Sequence, residues 1–531
     1  MLFTSYNFIA FITLVFILYY SIPKKWQWPL LLVSSYFFYF VAGKEYLVYI
    51  VVTTVSTFLV SLGIEKLRGK QTDYLSENKD TIEKEDKKKY KAGIKKRQWQ
   101  LLLGCLIINL GILAFVKYSN FSIANINTIF KITGSSYQLS FLNLVLPMGI
   151  SFYTFQAVGY IIDVYRGKVA AEKNLFKLAL FVSFFPQLVQ GPISRFSDLA
   201  ATLYEHHAFN IHVVSFGIQR ILWGLFKKLV IADRILVGVN SIIRNSGEFQ
   251  GAYVLVGMLF YAFELYADFT GGIDITIGIA EVMGIRVKEN FIRPYFSKSI
   301  KEYWRRWHIS MSTWFTDYIF YPISVCQPML KLSRFSRKHF GDFFGKRIPV
   351  YISVFVVWFA TGVWHGASWN FIVWGVMNGV VIMISQEFIP LYEKFHKRFD
   401  VEGKFYYRAF QVIRTILLMS SLRMFDCYRD VGLTFKMFGN MFINFGNIFE
   451  VFNGGFMKLG LTGIDYLILL FGFTALFSVS LIQRKGSVRE FFATKPTVLR
   501  YSMFGFIIIV ILLFGAYGVG FDARQFIYNQ F

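Results

Sequence analysis

The chain has 531 residues, of which 55% are hydrophobic and only 17% charged, with a mean hydropathy of +0.47. That balance excludes an ordinary soluble domain, which carries more charge and interrupts its apolar runs more often. Lys and Arg total 56 against 32 Asp and Glu, a net charge of +24; the positive residues sit in short loops between apolar runs, which points to a membrane surface with anionic headgroups and not to nucleic acid.

Apolar stretches of about 18 residues or more, long enough to cross a bilayer as helix, recur along the chain. Backbone groups in lipid must be satisfied within the segment, so helices are expected. Nothing shows the ten-residue alternation of a membrane barrel. The opening MLFTSYNFIAFITLVFILYYSI has no basic residue before Lys24. It lacks the positive start of a cleaved signal and reads as a retained first span.

Spans are expected near 4–22, 27–42 and 45–63. The charged stretch 64–98 follows; within 65–97, twelve Lys/Arg meet seven Asp/Glu. It reads as a cytoplasmic loop, which places the N-terminus outside. A span near 99–117 leaves the cytoplasm again. The middle, 140–346, is broken by Pro147, Pro186 and Pro192. It holds Gln156, Asp163, Gln187, Gln190, Glu264 and Asp268 at depths where lipid alone would not tolerate them. No internal repeat is visible, against an inverted-repeat transporter.

Residues 286–346 are too charged to span, yet rich in aromatics. Helical register puts Trp304, Trp307, His308 and Met311 on one face, with Arg305 and Arg306 elsewhere. This predicts one helix lying at or dipping into the cytoplasmic interface. Spans near 348–364, 411–425, 461–482 and 501–519 complete a single transmembrane domain over 1–531, with the C-terminus outside. Cys105, Cys326 and Cys427 are scattered and odd in number, so neither a disulfide framework nor a metal site is expected.

Two of the seven histidines stand out. His365 lies in TGVWHGASWN between two apolar runs, flanked by Gly362 and Gly366, which permit close approach of backbone or substrate. An ionisable group there marks a functional site by default, and a histidine titrates near neutrality and can act as a general base. The plainer alternative is a structural histidine bonded to a neighbouring helix. His308 lies in EYWRRWHISMSTWF, where an interfacial helix can carry a histidine with no task. The adjacent arginines could bind phosphate or simply reach for headgroups. His206, His207, His212, His339 and His396 have polar or loop-like surroundings. G-x-x-x-x-G-K-[ST], G-x-S-x-G and H-E-x-x-H are absent, which speaks against nucleotide-driven transport, serine hydrolysis and zinc proteolysis.

Several stretches together resemble the membrane-bound O-acyltransferase (MBOAT) family, in its bacterial alginate O-acetyltransferase-like subgroup. They are MLFTSYNFIAF, MGISFYTFQAVGYIIDVYRG, FFPQLVQGPISR, YADFTGGIDITIGIAEVMGI, ENFIRPYFSKSIKEYWRRWHISMSTWFTDYIFYP and TGVWHGASWNFIVWGVMNG, in family order from residue 1 to about 380. The resemblance implies an all-α polytopic membrane protein, a ring of about 11 tilted helices with re-entrant or interfacial helices around a central tunnel. It matches His365 to the family's catalytic histidine and His308 to the second motif histidine. Trp304, Arg305, Arg306, Trp307, Trp364 and Asn370 are the candidate substrate-binding residues. The chain departs from the pattern at Gly272, where an aromatic residue is usual, at Asn378, where a histidine is expected, and after FTDYIFYP.

The implied activity is acetyl transfer from a cytoplasmic thioester, acetyl-CoA, to hydroxyls of an extracellular or cell-wall polysaccharide, with no bound cofactor or metal. An extracytoplasmic SGNH-type acyltransferase is the implied partner, and a bacterial cell membrane the location. Two alternatives stay open: transfer of D-alanyl or another acyl group from a carrier protein to teichoic acid, and a transporter or flippase with no chemistry of its own. An inactive scaffold for polymer export is a third, against which both histidines stand.

Overall fold

The protein is all-α. The computed structural model describes residues 3–516, and these contain helices and turns but no β-strand. Among them, seven helices are long and apolar enough to cross a membrane: Lys44–Glu77, Lys84–Ile132, Ala252–Val282, Gln327–His365, Trp369–Glu387, Gly463–Ile482 and Thr497–Phe514. Shorter apolar helical stretches lie at Tyr6–Ser21, Leu175–Gln190 (broken at Phe184) and Val431–Ile443. The expected polytopic all-α architecture is present, with several elements shorter than a full span. The last expected span, 501–519, runs past the described residues, as does the C-terminus assigned to the outside.

The chain divides into two compact units, residues 1–214 with 279–288, and 215–278 with 289–531. In the first, Tyr6–Ser21 starts at Ser5, whose Oγ accepts from the Phe8 N–H at 3.2 Å. That cap satisfies one of the amides left open at a helix start. Leu47–Glu77 and Lys84–Ile132 are tied together by side-chain amides. Gln98 donates to the Ile64 carbonyl and Asn109 to Ser56 Oγ, each at 3.1 Å. Such polar ties join helices where lipid offers no hydrophobic drive to associate.

The charged stretch 64–98, expected as a loop, is helical except at 78–83. Its lysines and glutamates are strong helix formers and prolong both spans. In the broken middle, Pro186 supplies no N–H, and the apolar run splits into Leu175–Ser183 and Phe185–Gln190. The glutamines singled out there bond to one another: Gln156 donates to Gln187 at 3.2 Å, and Gln187 donates to Ser194 at 2.6 Å. Residues 279–288 are bonded into this unit at several points. Tyr20 donates to the Val282 carbonyl, the Arg286 N–H donates to Thr202, and Lys288 pairs with Asp198.

In the second unit, Ile211–Leu225 continues through a π-helical turn, Phe226–Ala232, into Asp233–Arg244. It packs against Ala252–Val282 through glycines. A Cβ on Gly224 would stand 2.6 Å from the Gly271 carbonyl, and one on Gly278 would stand 2.7 Å from the Gly217 carbonyl. Buried ion pairs fill this seam. Lys227 Nζ lies 2.5 Å from Asp274, and Lys228 Nζ lies 2.6 Å from Asp268 and 2.8 Å from Asp233. The two consecutive lysines of this π turn pair with different carboxylates. Asp268, flagged by its depth in the sequence, thus has a cation.

Candidate active site

The helix Gln327–His365 is interrupted at Gly341 (φ +77), and its apolar second part ends on His365. Gly366 then turns the chain into Trp369–Glu387. The two helices meet at Gly362 and Gly375. A Cβ on Gly362 would lie 2.5 Å from the Phe371 carbonyl, and one on Gly375 would collide with the Trp358 carbonyl. A Cβ on Gly366 would collide with the Phe371 ring. The glycines of TGVWHGASWN therefore allow the close approach the sequence suggests, and the neighbour they admit is backbone and aromatic ring. His365 is buried. Its ring stands edge-on to Trp374 at 4.7 Å and to Trp364 at 5.0 Å, and lies nearly parallel to Phe371 at 6.5 Å.

His308 arrives by a different route from the one predicted. The single helix expected through Trp304 and Met311 breaks. Ile300–Arg306 ends, Trp307 is extended, His308 takes the left-handed conformation (φ 47, ψ 55), and Ile309–Phe315 begins. The four residues expected on one face are all buried, but a break and not helical register brings them there.

A left-handed backbone is uncommon for a side chain of this size, and Asn290 secures it. The Asn290 carbonyl accepts from the Ile309 N–H at 3.0 Å. Its side-chain oxygen accepts from the Ser310 N–H and hydroxyl, each at 2.9 Å. Its amide nitrogen lies 3.3 Å from His308 Nδ1. A backbone N–H can only donate, so Asn290 Oδ1 is fixed as acceptor and Nδ2 as donor. His308 Nδ1 then accepts, and the neutral ring carries its proton on Nε2. Burial, and secondarily the Arg423 charge, push the His308 pKa down to about 3. The imidazole is neutral at any physiological pH.

Trp364 brings the two histidines into one cluster. Its ring lies 6.0 Å from His308 and 5.0 Å from His365. Trp304 extends the cluster, packing on Trp358 at 4.6 Å and Trp374 at 6.0 Å. Trp307 stacks on Tyr303 at 5.5 Å. Over these indoles lies Arg423, its guanidinium carbon 4.7 Å from the Trp374 ring centre, 5.4 Å from Trp307 and 5.9 Å from Trp304. Arg423 pairs with Asp426 at 2.7 Å.

The remaining candidates sit apart from the imidazoles or are otherwise engaged. Arg305 is exposed, and Arg306 pairs with Glu302 at 2.5 Å and bonds the Arg293 carbonyl. Neither contacts the aromatic cluster in the way Arg423 does. Asn370 is buried; its amide donates to the Phe425 carbonyl at 3.1 Å, and its oxygen accepts from Ser368 at 2.5 Å. Asn378 is buried one turn beyond Trp374, whose carbonyl accepts its amide N–H at 2.8 Å.

Sequence reasoning passed over Asn290, Trp374, Arg423 and Asp426. A signal existed for the last two: paired ionisable residues within an apolar helix, Phe405–Tyr428, are costly and seldom idle. A lone buried asparagine and one more tryptophan carry no such signal. Chemically, the cluster offers one imidazole able to take a proton, a second held neutral with an N–H to donate, and surroundings dry enough to strengthen both interactions.

Comparison with known proteins extends these observations. Residues 168–336 match the model of the membrane-bound O-acyltransferase family. The chain is 34% identical over 389 residues to the probable alginate O-acetylase of Azotobacter vinelandii, covering 73% of this chain and 69% of that protein. It is also 34% identical over 389 residues to the probable alginate O-acetylase of Pseudomonas aeruginosa, covering 73% and 66%. Identity to the peptidoglycan O-acetyltransferase of Helicobacter pylori is 30% over 400 residues, 70% and 66%. The chain thus spans about two thirds of the length of the curated relatives it matches.

Proposed function

Because the chain belongs to the membrane-bound O-acyltransferase family, we propose that it moves an acetyl group from a cytoplasmic thioester, acetyl-CoA, to hydroxyls of an extracellular or cell-wall polysaccharide. An extracytoplasmic acyltransferase of SGNH type completes the transfer, and a bacterial cell membrane houses the pair. The observation that carries the reading is that the His308 and His365 rings both pack against Trp364, within one buried cluster. The acetylated polymers named for its relatives, alginate and peptidoglycan, support a glycan acceptor.

In this mechanism the acceptor hydroxyl oxygen attacks the thioester carbonyl carbon, and its proton passes to the His365 imidazole. A C–O bond forms and the carbonyl oxygen becomes an oxyanion. The tetrahedral species then expels the thiolate, which takes the proton back from the imidazolium, leaving an ester and a free thiol. The base must lie close to both reactants, and the oxyanion needs an N–H donor. His308 Nε2–H is suited to donate, either to the donor substrate or along the proton's path. The Asn370 amide is less suited, since it already donates to Phe425.

Alkali-releasable acetate on extracellular glycan tests the reading in wild type, a deletion strain and His365→Ala, with membrane abundance of the variant checked. Acetate is expected to fall to background in both mutants; a general base contributes about 10²–10⁴-fold. Acetate unchanged in the deletion would overturn acetyl transfer, and ester-linked D-alanine would then be measured. Loss in the deletion alone would remove His365 from the chemistry.

A further inference from the structure

We infer that Arg423 is a positioning residue for His365, acting through the Trp374 indole. The inference rests on the reading of His365 as the base.

Arg423 and Asp426 are both buried, at 6% and 3% exposure. Arg423 Nε and Asp426 Oδ1 nevertheless have no hydrogen-bond partner among the described residues. A buried ion pair with unsatisfied atoms is poor stabilisation, and a well-packed apolar pair of similar size commonly holds a fold as well or better. Stability alone therefore does not account for these two residues. What a guanidinium supplies, and an apolar side chain does not, is directional attraction to the faces of aromatic rings. Arg423 exerts it on three indoles at once, and most closely on Trp374.

Trp374 also stands edge-on to His365, their ring centres 4.7 Å apart. Its Nε1 has no hydrogen-bond acceptor among the described residues. No hydrogen bond therefore sets the angle of the indole; the cation on its face and the packing around it do. Arg423 and the imidazole thus both contact the same indole. Loss of the cation frees the indole to tilt, and with it the imidazole that stands edge-on to it. Small misplacements of a base cost rate without costing substrate affinity.

The test uses membranes containing the full chain and labelled acetyl-CoA at varied concentration, measuring thioester consumption per amount of protein. Arg423→Met combined with Asp426→Leu replaces the pair with apolar groups and leaves no buried charge behind. This double variant is expected to accumulate like wild type, with kcat down about tenfold or more and KM for acetyl-CoA within about twofold. Arg423→Lys keeps the charge without the planar fork and is expected to recover part of the rate. Adding Trp374→Phe to the double variant is expected to cost no more than about another twofold, because residues that act through one another are not additive.

A wild-type kcat in Arg423→Met/Asp426→Leu would overturn the role, as would losses that multiply with Trp374→Phe. Should the double variant fail to accumulate, Arg423→Lys decides alone: unchanged kcat overturns the inference, and reduced kcat at unchanged KM supports it. His365→Ala on the same membranes separates the two readings. Full activity there removes the base itself, whereas an inactive His365→Ala beside a fully active Arg423 variant removes only the positioning role.

Discussion

Asn290 reaches His308 across 18 residues of chain and supplies its backbone carbonyl, its side-chain oxygen and its amide nitrogen to the turn around it. An alanine there would leave the Ser310 N–H and hydroxyl without their acceptor, at a cost of about 1–3 kcal/mol for a buried group. The His308 Nδ1 would lose the donor that fixes its tautomer. We expect Asn290→Ala to lower glycan acetylation at least about tenfold while chain remains in the membrane, with faster thermal inactivation. Unchanged acetylation would detach Asn290 from the function of His308. His365 was legible in sequence because an imidazole amid apolar residues contrasts with everything near it. The identity of His308 was legible too, but not its conformation: Trp307 and His308 include neither glycine nor proline to announce a break. Asn290 was invisible because its partners are set by tertiary contact and not by spacing.

Between elements, the seam of Gly362 and Gly375 leaves no room for a side chain. A methyl group on Gly375 meets backbone, which cannot swing aside as a flexible side chain can. Gly375→Ala is expected to destabilise by about 1–3 kcal/mol and to cut activity by moving Trp374 and His365 on either side of the contact. Gly439→Ala, where nothing lies within 4 Å of the added methyl, is the matched control and is expected to gain a few tenths of a kcal/mol or change nothing. Equal melting behaviour of the two variants in detergent would refute the seam. Apolar length located five of the seven long helices, because length in a membrane is a physical requirement; Ala252–Val282 and Trp369–Glu387 were not among the expected spans, and the expected spans 27–42 and 411–425 are not among the seven. Their ends and breaks were less legible. The charged 64–98 stretch prolongs two helices because its Lys, Arg, Glu and Gln residues favour helix although they cannot span. The π turn at Phe226–Ala232, whose lysines pair with Asp268 and Asp274 of another helix, has no local signal in the sequence.

For the whole molecule, orientation rests on the twelve basic residues within 65–97. A cysteine at Asp80, in the turn between the two long helices, tests it in a background with Cys326 replaced by serine. A membrane-impermeant maleimide is expected to label Asp80→Cys only after the cell membrane is opened; labelling of intact cells would invert the topology. Chain order carries a further consequence. The first compact unit is built from residues 1–214 but is finished by 279–288. Tyr20 finds its acceptor 262 residues downstream, and Thr202 waits 84 residues for Arg286. During synthesis, the early helices must enter the bilayer well before their own unit can close. A chain truncated near residue 214 would therefore lack the segment that completes its first unit.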